Sequence, residues 1–252
     1  MTDLAGKHAF ITGGGSGIGL ATARALAARG AKLTLAARNL ERLEKAATAL
    51  GALAVACDVR EEAAVSSACA AARTKNGPID ILVNNAGVAL SAPFKGTELT
   101  FWRQVLDTNL TGAFLCTRAA LPDMLAARWG RVVNVASVCA LKGYAYLSAY
   151  CASKHGLLGF TRALAHETAA RGVTVNAVCP GYVETDVITE ATRNIAQKTH
   201  LSEAEARASL VQFNPTGRLI TPEEVASSID WICSAGAASV NGAALPMTGG
   251  EI

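Results

Sequence analysis

The sequence has no CxxC pair and no HExxH, and its seven cysteines, at 57, 69, 116, 139, 151, 179 and 233, are scattered. The four histidines, His8, His155, His166 and His200, also lack metal-ligand spacing, so no metal site is expected. An odd number of cysteines leaves at least one unpaired, which fits a reducing, cytoplasmic setting with buried thiols. Charge of either sign is nowhere concentrated: 23 basic and 20 acidic side chains leave a formal +3, with no Lys/Arg cluster and only 5% aromatics. Nucleic acid is therefore not an expected partner. Long apolar runs are missing too. MTDLAGKHAFITGGG places Asp3 ahead of its apolar run and glycines behind it, unlike a secretion signal. Residues 231–250 are uncharged but rich in Gly, Ala, Ser and Asn and broken by Pro246, a poor membrane span.

What is present is alternation. The short apolar runs KHAFIT, KLTLAA and ALAVAC are followed by segments of helical periodicity at 17–29, 39–49 and 61–75. ILVNNAG, RVVNVAS, VTVNAV and GAALPM continue the series, and their near-continuous apolar character suits strands covered on both faces. The pattern predicts an α/β, Rossmann-type doubly wound parallel sheet of about seven strands with helices on both faces. It reads as one domain over 1–252, without repeats or linkers. Residues 184–221 break the rhythm and are polar where a short connection would do. Ser202 with Glu205, and Thr221 with Pro222 and Glu224, predict two capped helix starts there. This stretch is expected to be an ordered insertion that forms a mobile substrate lid, the alternative being a static excursion, with Val187, Ile188, Ile195, Leu201, Leu210 and Phe213 as its apolar positions.

ITGGGSGIG joins the first strand to the first helix, so Gly13, Gly15, Gly17 and Gly19, with Ser16 and Ile18 between them, place bare backbone at a helix start. Such a turn suits a pyrophosphate. Its TGxxxGxG spacing differs from GxGxxG, and a glycine-rich turn is also an ordinary connection.

GYAYLSAYCASK holds Tyr144, Tyr146 and Tyr150, three of the four tyrosines. Only Tyr150 has a lysine four residues on, which puts Lys154 on the same helical face. A phenol titrates near 10, and moving it to neutrality takes roughly 4 kcal/mol. An ammonium about 4 Å away supplies about that much at an effective dielectric near 20. Ser137 ends an apolar strand, where its hydroxyl emerges at the carboxyl edge or simply caps a turn. Asn109 lies in a helical segment that asparagine does not favour.

TGGGSGIG (12–19), CDV (57–59), NNAG (84–87), TNLTGAF (108–114), VAS (135–137), YCASK (150–154) and PGYVET (180–185) occur in one order. By these motifs the whole chain resembles the short-chain dehydrogenase/reductase family in its compact form. The resemblance implies a soluble NAD(P)(H)-dependent oxidoreductase that interconverts a ketone and a secondary alcohol by hydride transfer. It makes Tyr150 the general acid/base, Ser137 the group that polarises the carbonyl, Lys154 the tuner of the phenol and the ribose contact, and Asn109 part of a water relay. It assigns Asp58 and Val59 to the adenine, Asn85, Ala86 and Gly87 beneath it, and Pro180, Gly181, Val183 and Thr185 to the nicotinamide.

At Ala37, where NAD-preferring members carry an acid, no carboxylate stands, and Arg38 follows. NADP(H) is favoured, with NAD(H) left open. Cys139, Tyr144, Tyr146 and Tyr182 are expected to line the substrate pocket, and Cys151 is read with Cys139 as an unactivated thiol. NPTGRLITPEEVA and PMTGGEI resemble 3-oxoacyl reductases and 3-hydroxyacyl dehydrogenases but recur across the family as structural features; a 3-oxoacyl thioester is one substrate class and a small or aromatic alcohol another. Arg193, Lys198 and Arg207 would meet an acidic carrier or form a solvated face. A dinucleotide sensor without turnover and a sugar-nucleotide epimerase are the rivals: loss of Tyr150 or Lys154 would favour the first, and the glycine spacing speaks against the second. A homotetramer is expected from the family, and HGLLGFTRALAHETAA is apolar on more than one helical face.

Overall fold

β1 (His8–Thr12) leads through the glycine turn into α1 (Gly17–Ala28), and the alternation continues with β2 (Lys32–Ala37), α2 (Leu40–Leu50), β3 (Leu53–Ala56), α3 (Glu62–Asn76) and β4 (Ile81–Asn84). The computed structural model describes residues 4–252, apart from the side chain of Lys198. Met1–Asp3, part of the segment weighed against a secretion signal, and the contact expected of Lys198 lie outside the described residues. After β4 come α4 (Leu99–Leu106), α5 (Gly112–Ala127), β5 (Gly130–Val135) and α6 (Ser148–Thr168). β6 (Val173–Pro180), α7 (Asp186–Thr199), α8 (Glu203–Val211), α9 (Pro222–Cys233) and β7 (Ala244–Met247) complete the chain.

All seven strands pair in parallel in the order β3-β2-β1-β4-β5-β6-β7. Every strand is therefore left at the same edge, and the order reverses between β1 and β4, the crevice where such sheets take ligands. The two-residue period of the strands divides the core. Ala9 and Ile11 face α1, α2 and α9 with Leu26, Leu43 and Ile229. Phe10 faces α3, α5 and α6 with Cys69, Leu115 and Leu164. Each buried Leu, Ile or Phe contributes roughly 1.5–3 kcal/mol, so a one-residue slip of a strand would be ruinous.

Between these layers runs a buried polar ladder. Asn84 Nδ2 donates to Thr117 Oγ1 (3.0 Å) and Asn134 Oδ1 (2.8 Å), and Asn134 Nδ2 donates to Thr161 Oγ1 (2.8 Å). It registers β4, β5, α5 and α6 against one another at the depth where the site begins.

The stretch 184–221 holds α7 and α8 over a small cluster of Ile188, Leu210 and Leu219, with Tyr182 and Ile195 against it. Both expected capping boxes form: Ser202 with Glu205, and Thr221 with Glu224 behind Pro222 at the helix start. Val187, Leu201 and Phe213 stay exposed rather than joining that cluster. Among the described residues no helix is long and apolar enough to cross a membrane.

Candidate active site

The glycine turn is packed so tightly that side chains are excluded. A Cβ on Gly19 would lie 2.3 Å from the Gly13 carbonyl oxygen, and one on Gly13, whose φ is +65°, would lie 2.7 Å from Asn85 Nδ2. Asn85 closes the turn from the next strand: its Nδ2 donates to the carbonyls of Thr12 (2.9 Å) and Gly13 (3.2 Å). Thr12 Oγ1 in turn accepts from the amides of Asn85 and Ala86, both at 3.0 Å. Ser16 stands at the helix start in extended conformation and its hydroxyl caps nothing. The amides of the first turn, Gly17 to Gly19, have no partner within the helix, which is the cradle a pyrophosphate takes. Thr185 borders it: a Cβ on Gly17 would lie 3.1 Å from the Thr185 methyl. Ile18 is partly buried behind the turn. This backbone fits a dinucleotide.

At the far end of the crevice Ala37 ends β2 with no carboxylate, and Arg38 is exposed. The neighbouring cations are committed, Arg42 to Asp186 and Arg60 to Asp58. Arg60 engages both oxygens of Asp58, which holds that carboxyl below its ordinary pKa. Val59 is buried against Gly112, where a Cβ would come within 2.7 Å of its methyl.

The chain between α4 and α5 passes through a wide π turn, Asp107–Thr111, and Asn109 projects from it. Wide turns of this kind recur at functional sites. Asn109 Nδ2 donates to the Val88 carbonyl (2.9 Å) while the Val88 amide donates to Asn109 Oδ1 (2.8 Å). Its Nδ2 also donates to Ser153 Oγ on α6 (3.1 Å). Asn109 thereby clamps the exit of NNAG to the helix carrying Tyr150 and Lys154. Lys154 is buried, and its Nζ donates to the Val135 carbonyl (2.8 Å) beside Gly87.

Ser137 follows β5 with its side chain buried, and its Oγ accepts from the Cys139 amide at 3.1 Å. The hydroxyl is both a turn cap and a partner of Tyr150, whose phenol it favours toward ionisation. Tyr150, Ser137 and Lys154 thus meet at the carboxyl edge of β5. The Lys154 ammonium lies 5.7 Å from the centre of the Tyr150 ring. Burial dominates both groups: it pushes the phenol above its ordinary range and pulls the lysine down to about 8. Taking water from a site penalises phenolate and ammonium alike.

Cys139 is buried, and burial together with the neighbouring Cys151 pushes its thiol up to about 12, so it does not read as a nucleophile. Tyr182 stacks on Phe213 of the 184–221 stretch (5.3 Å between centres, 20°), and Tyr144 meets the same ring edge-on at 6.4 Å. Tyr146 is 66% exposed with φ +66°, at the mouth rather than on this wall. Below it, Pro180 pairs with Met247, and Gly181 donates to the Met247 carbonyl (2.9 Å). Val183 is buried. Arg207 is held by Glu184 at 2.5 Å, and Arg193 is exposed.

Sequence reasoning missed Glu251. Its side chain is 7% exposed, pairs with Lys142 at 2.9 Å and accepts from the Tyr144 hydroxyl. A charged residue next to the last position gave no periodic or motif signal to find it.

Comparison with known proteins bears on this site. The family model described as short chain dehydrogenase matches residues 7–196. The D-beta-hydroxybutyrate dehydrogenase of Cupriavidus necator is 39% identical over 255 residues, covering 99% of both chains. The 3-oxoacyl-acyl-carrier-protein reductase of Vibrio cholerae is 37% identical over 250 residues, covering 98% of both. A crystal structure of an actinorhodin polyketide ketoreductase variant with NADPH superposes with a TM-score of 0.94 at 38% identity, covering 97% of each chain.

Proposed function

This chain belongs to the short-chain dehydrogenase family and is an oxidoreductase, and from that premise we propose that Tyr150, Ser137, Lys154 and Asn109 interconvert a ketone and a secondary alcohol with NADP(H) as the favoured dinucleotide. The observation that carries the reading is the meeting of Tyr150, Ser137 and Lys154 at one strand end, beside the bare turn at Gly13–Gly19. A bound nicotinamide supplies or accepts the hydride. Tyr150, kept protonated by burial, gives its proton to the oxygen that becomes the alcohol. Ser137 donates to the same oxygen and holds the carbonyl in line. Lys154 places the ribose, and Asn109 holds the backbone at Val88 so that the floor of the pocket does not move.

The turn from Gly13 to Gly19 would hold the pyrophosphate. Asp58 and Val59 would flank the adenine with Asn85, Ala86 and Gly87, while Pro180, Gly181, Val183 and Thr185 would frame the nicotinamide. The exposed guanidinium of Arg38, next to an Ala37 that offers no carboxylate to a ribose hydroxyl, supports the 2′-phosphate and hence NADP(H). NAD(H) is the alternative dinucleotide.

For substrate, a 3-oxoacyl thioester has the support of the 3-oxoacyl-acyl-carrier-protein reductase relative, while the hydroxybutyrate relative supports a free 3-oxo acid. A small or aromatic ketone is the second reading, favoured by the wall of Tyr144, Tyr182 and Phe213. α7 and α8 act as the lid over it. Seven free cysteines fit a cytoplasmic protein. Phe114, exposed on α5 and edge-on to the half-buried Phe160 of α6 (6.4 Å), suits contact with another copy, as in a homotetramer. Sedimentation that found only the 25.9 kDa chain at micromolar protein would dismiss the tetramer.

Initial rates with acetoacetyl thioesters, free 3-oxo acids and aryl ketones, each with both dinucleotides, test the whole. Tight dinucleotide binding without turnover of any ketone would leave a sensor instead of an enzyme.

A further inference from the structure

At the amino-terminal end of β5 and β6, opposite the edge that carries Ser137 and Tyr150, lies a cavity of about 520 Å³. That is the size of a small-molecule site. Arg128, Trp129, Arg131, Thr174, Cys233 and Ala238 are among the residues that line it, and among the described residues no aspartate or glutamate does. Six residues of extended chain separate Arg131 from Ser137, roughly 20 Å, so this is no part of the catalytic crevice.

Arg131 is the anomaly. It is 4% exposed, yet it has no carboxylate partner among the described residues. Nη1 donates to the carbonyl of its own neighbour Gly130 (2.9 Å), the guanidinium carbon lies 4.6 Å from the centre of the Trp129 ring, and Nε has no partner at all. Directly across the strand pairing stands Thr174, 7% exposed, with its Oγ1 also unpartnered. Burial pulls the Arg131 pKa down, and among the described residues the Cys233 thiol rather than a carboxylate opposes it. A buried cation without a counter-charge costs several kcal/mol, and an orphaned hydroxyl beside it adds to that. Two such groups side by side on the wall of one cavity are a recognition surface awaiting an acceptor.

We propose that this cavity is a second binding site, for a small organic oxyanion whose charged end pairs with Arg131 and Thr174 and whose apolar body lies on Trp129 and Ala238. The free edge of a guanidinium matches the two oxygens of a carboxylate or a phosphate ester. Arg128 adds a second cation at the rim.

The test uses the intact protein saturated with NADP(H), so that the dinucleotide site cannot take the probe. Calorimetric titration and thermal melts would be run with benzoate, butyrate, phenyl phosphate and inorganic phosphate against chloride at equal ionic strength. Benzoate or phenyl phosphate is expected to bind and raise Tm. Arg131→Met, which exchanges an unpaired buried charge for an apolar side chain of similar length, should weaken that binding at least ten-fold while ketone turnover stays within two-fold. Thr174→Val should weaken it several-fold, and it carries the test if the arginine variant does not fold. Binding of the probes to Arg131→Met or Thr174→Val as tight as to wild type would overturn the proposal, as would no response beyond chloride. Inorganic phosphate binding as tightly as the organic anions would overturn the assignment of an apolar body.

Discussion

Lys154 reaches from α6 to the Val135 carbonyl at the end of β5, donating over 2.8 Å. The bond fixes the ammonium at the edge where we propose that the ribose lies, and the burial that comes with it pulls the lysine down to about 8. Below that value Lys154 is charged; as pH rises through it, the charge is lost. NADP(H) affinity should therefore fall between pH 7 and 9.5, and Lys154→Ala should bind the cofactor weakly and lose turnover at both. A fluorescence titration of the wild type showing the same Kd at both values would refute the ribose role.

Tyr150→Phe keeps the ring but has no proton to give. Turnover should drop by roughly 10²–10⁴, the usual worth of a positioned acid, while cofactor binding stays within a few-fold. Near-normal rates in this variant would remove Tyr150 from the mechanism.

Arg38→Ala should weaken NADP(H) far more than NAD(H), by about 1.5–3 kcal/mol, the scale of a charged hydrogen bond. Equal losses for the two dinucleotides would mean that the guanidinium reads no phosphate, and NAD(H) would then be the better assignment.

His8 bears on stability rather than catalysis. Its ring bridges the Gly77 carbonyl and Thr34 Oγ1, both at 2.9 Å, and burial lowers its pKa from 6.5. The unfolded chain takes up this proton first, so stability present above about 6.5 is lost as pH falls through that value. Urea unfolding at pH 7.5 and 5.5 should show that loss, and His8→Gln should show less of it. An identical loss in the variant would place the sensitivity elsewhere.

Exchange of residues 186–213 for those of a relative with another substrate should change KM and the ranking of ketones and leave cofactor affinity nearly alone. Phe213, stacked on Tyr182, is the contact that should matter most. An unchanged ranking, together with hydrogen exchange in 186–213 that ignores both ligands, would exclude a lid.

The strands were legible because two-sided burial writes itself into continuous apolar runs, and KLTLAA and VTVNAV became β2 and β6 almost to the residue. Ser202 and Thr221 were legible because a capping box is a local device: cap and acid are three residues apart and need nothing else. Tyr150 and Lys154 share a face by helical period alone. What could not be read is what only tertiary packing decides. The π turn at Asn109 alters the hydrogen-bond register of the backbone, which leaves no mark on periodicity. The Tyr150 phenol rises because its surroundings exclude water, and i,i+4 spacing carries no information about water. Arg60 pairs with Asp58 two residues away only because the loop turns them together, and Glu251 meets Tyr144 across 107 residues of chain.

Val183 and Ile220 form a single parallel rung: Glu184 donates to the Ile220 carbonyl (2.8 Å) and Ile220 to that of Tyr182 (2.9 Å). The chain between them is therefore a polymer ring tied off at its neck. Closing such a ring depends only on the logarithm of its length, and doubling the length costs about 0.6 kcal/mol. Insertions, deletions and replacement between 187 and 213 are thus cheap for the sheet beneath. Evolution has a place here to vary the chain without retuning the strand ends.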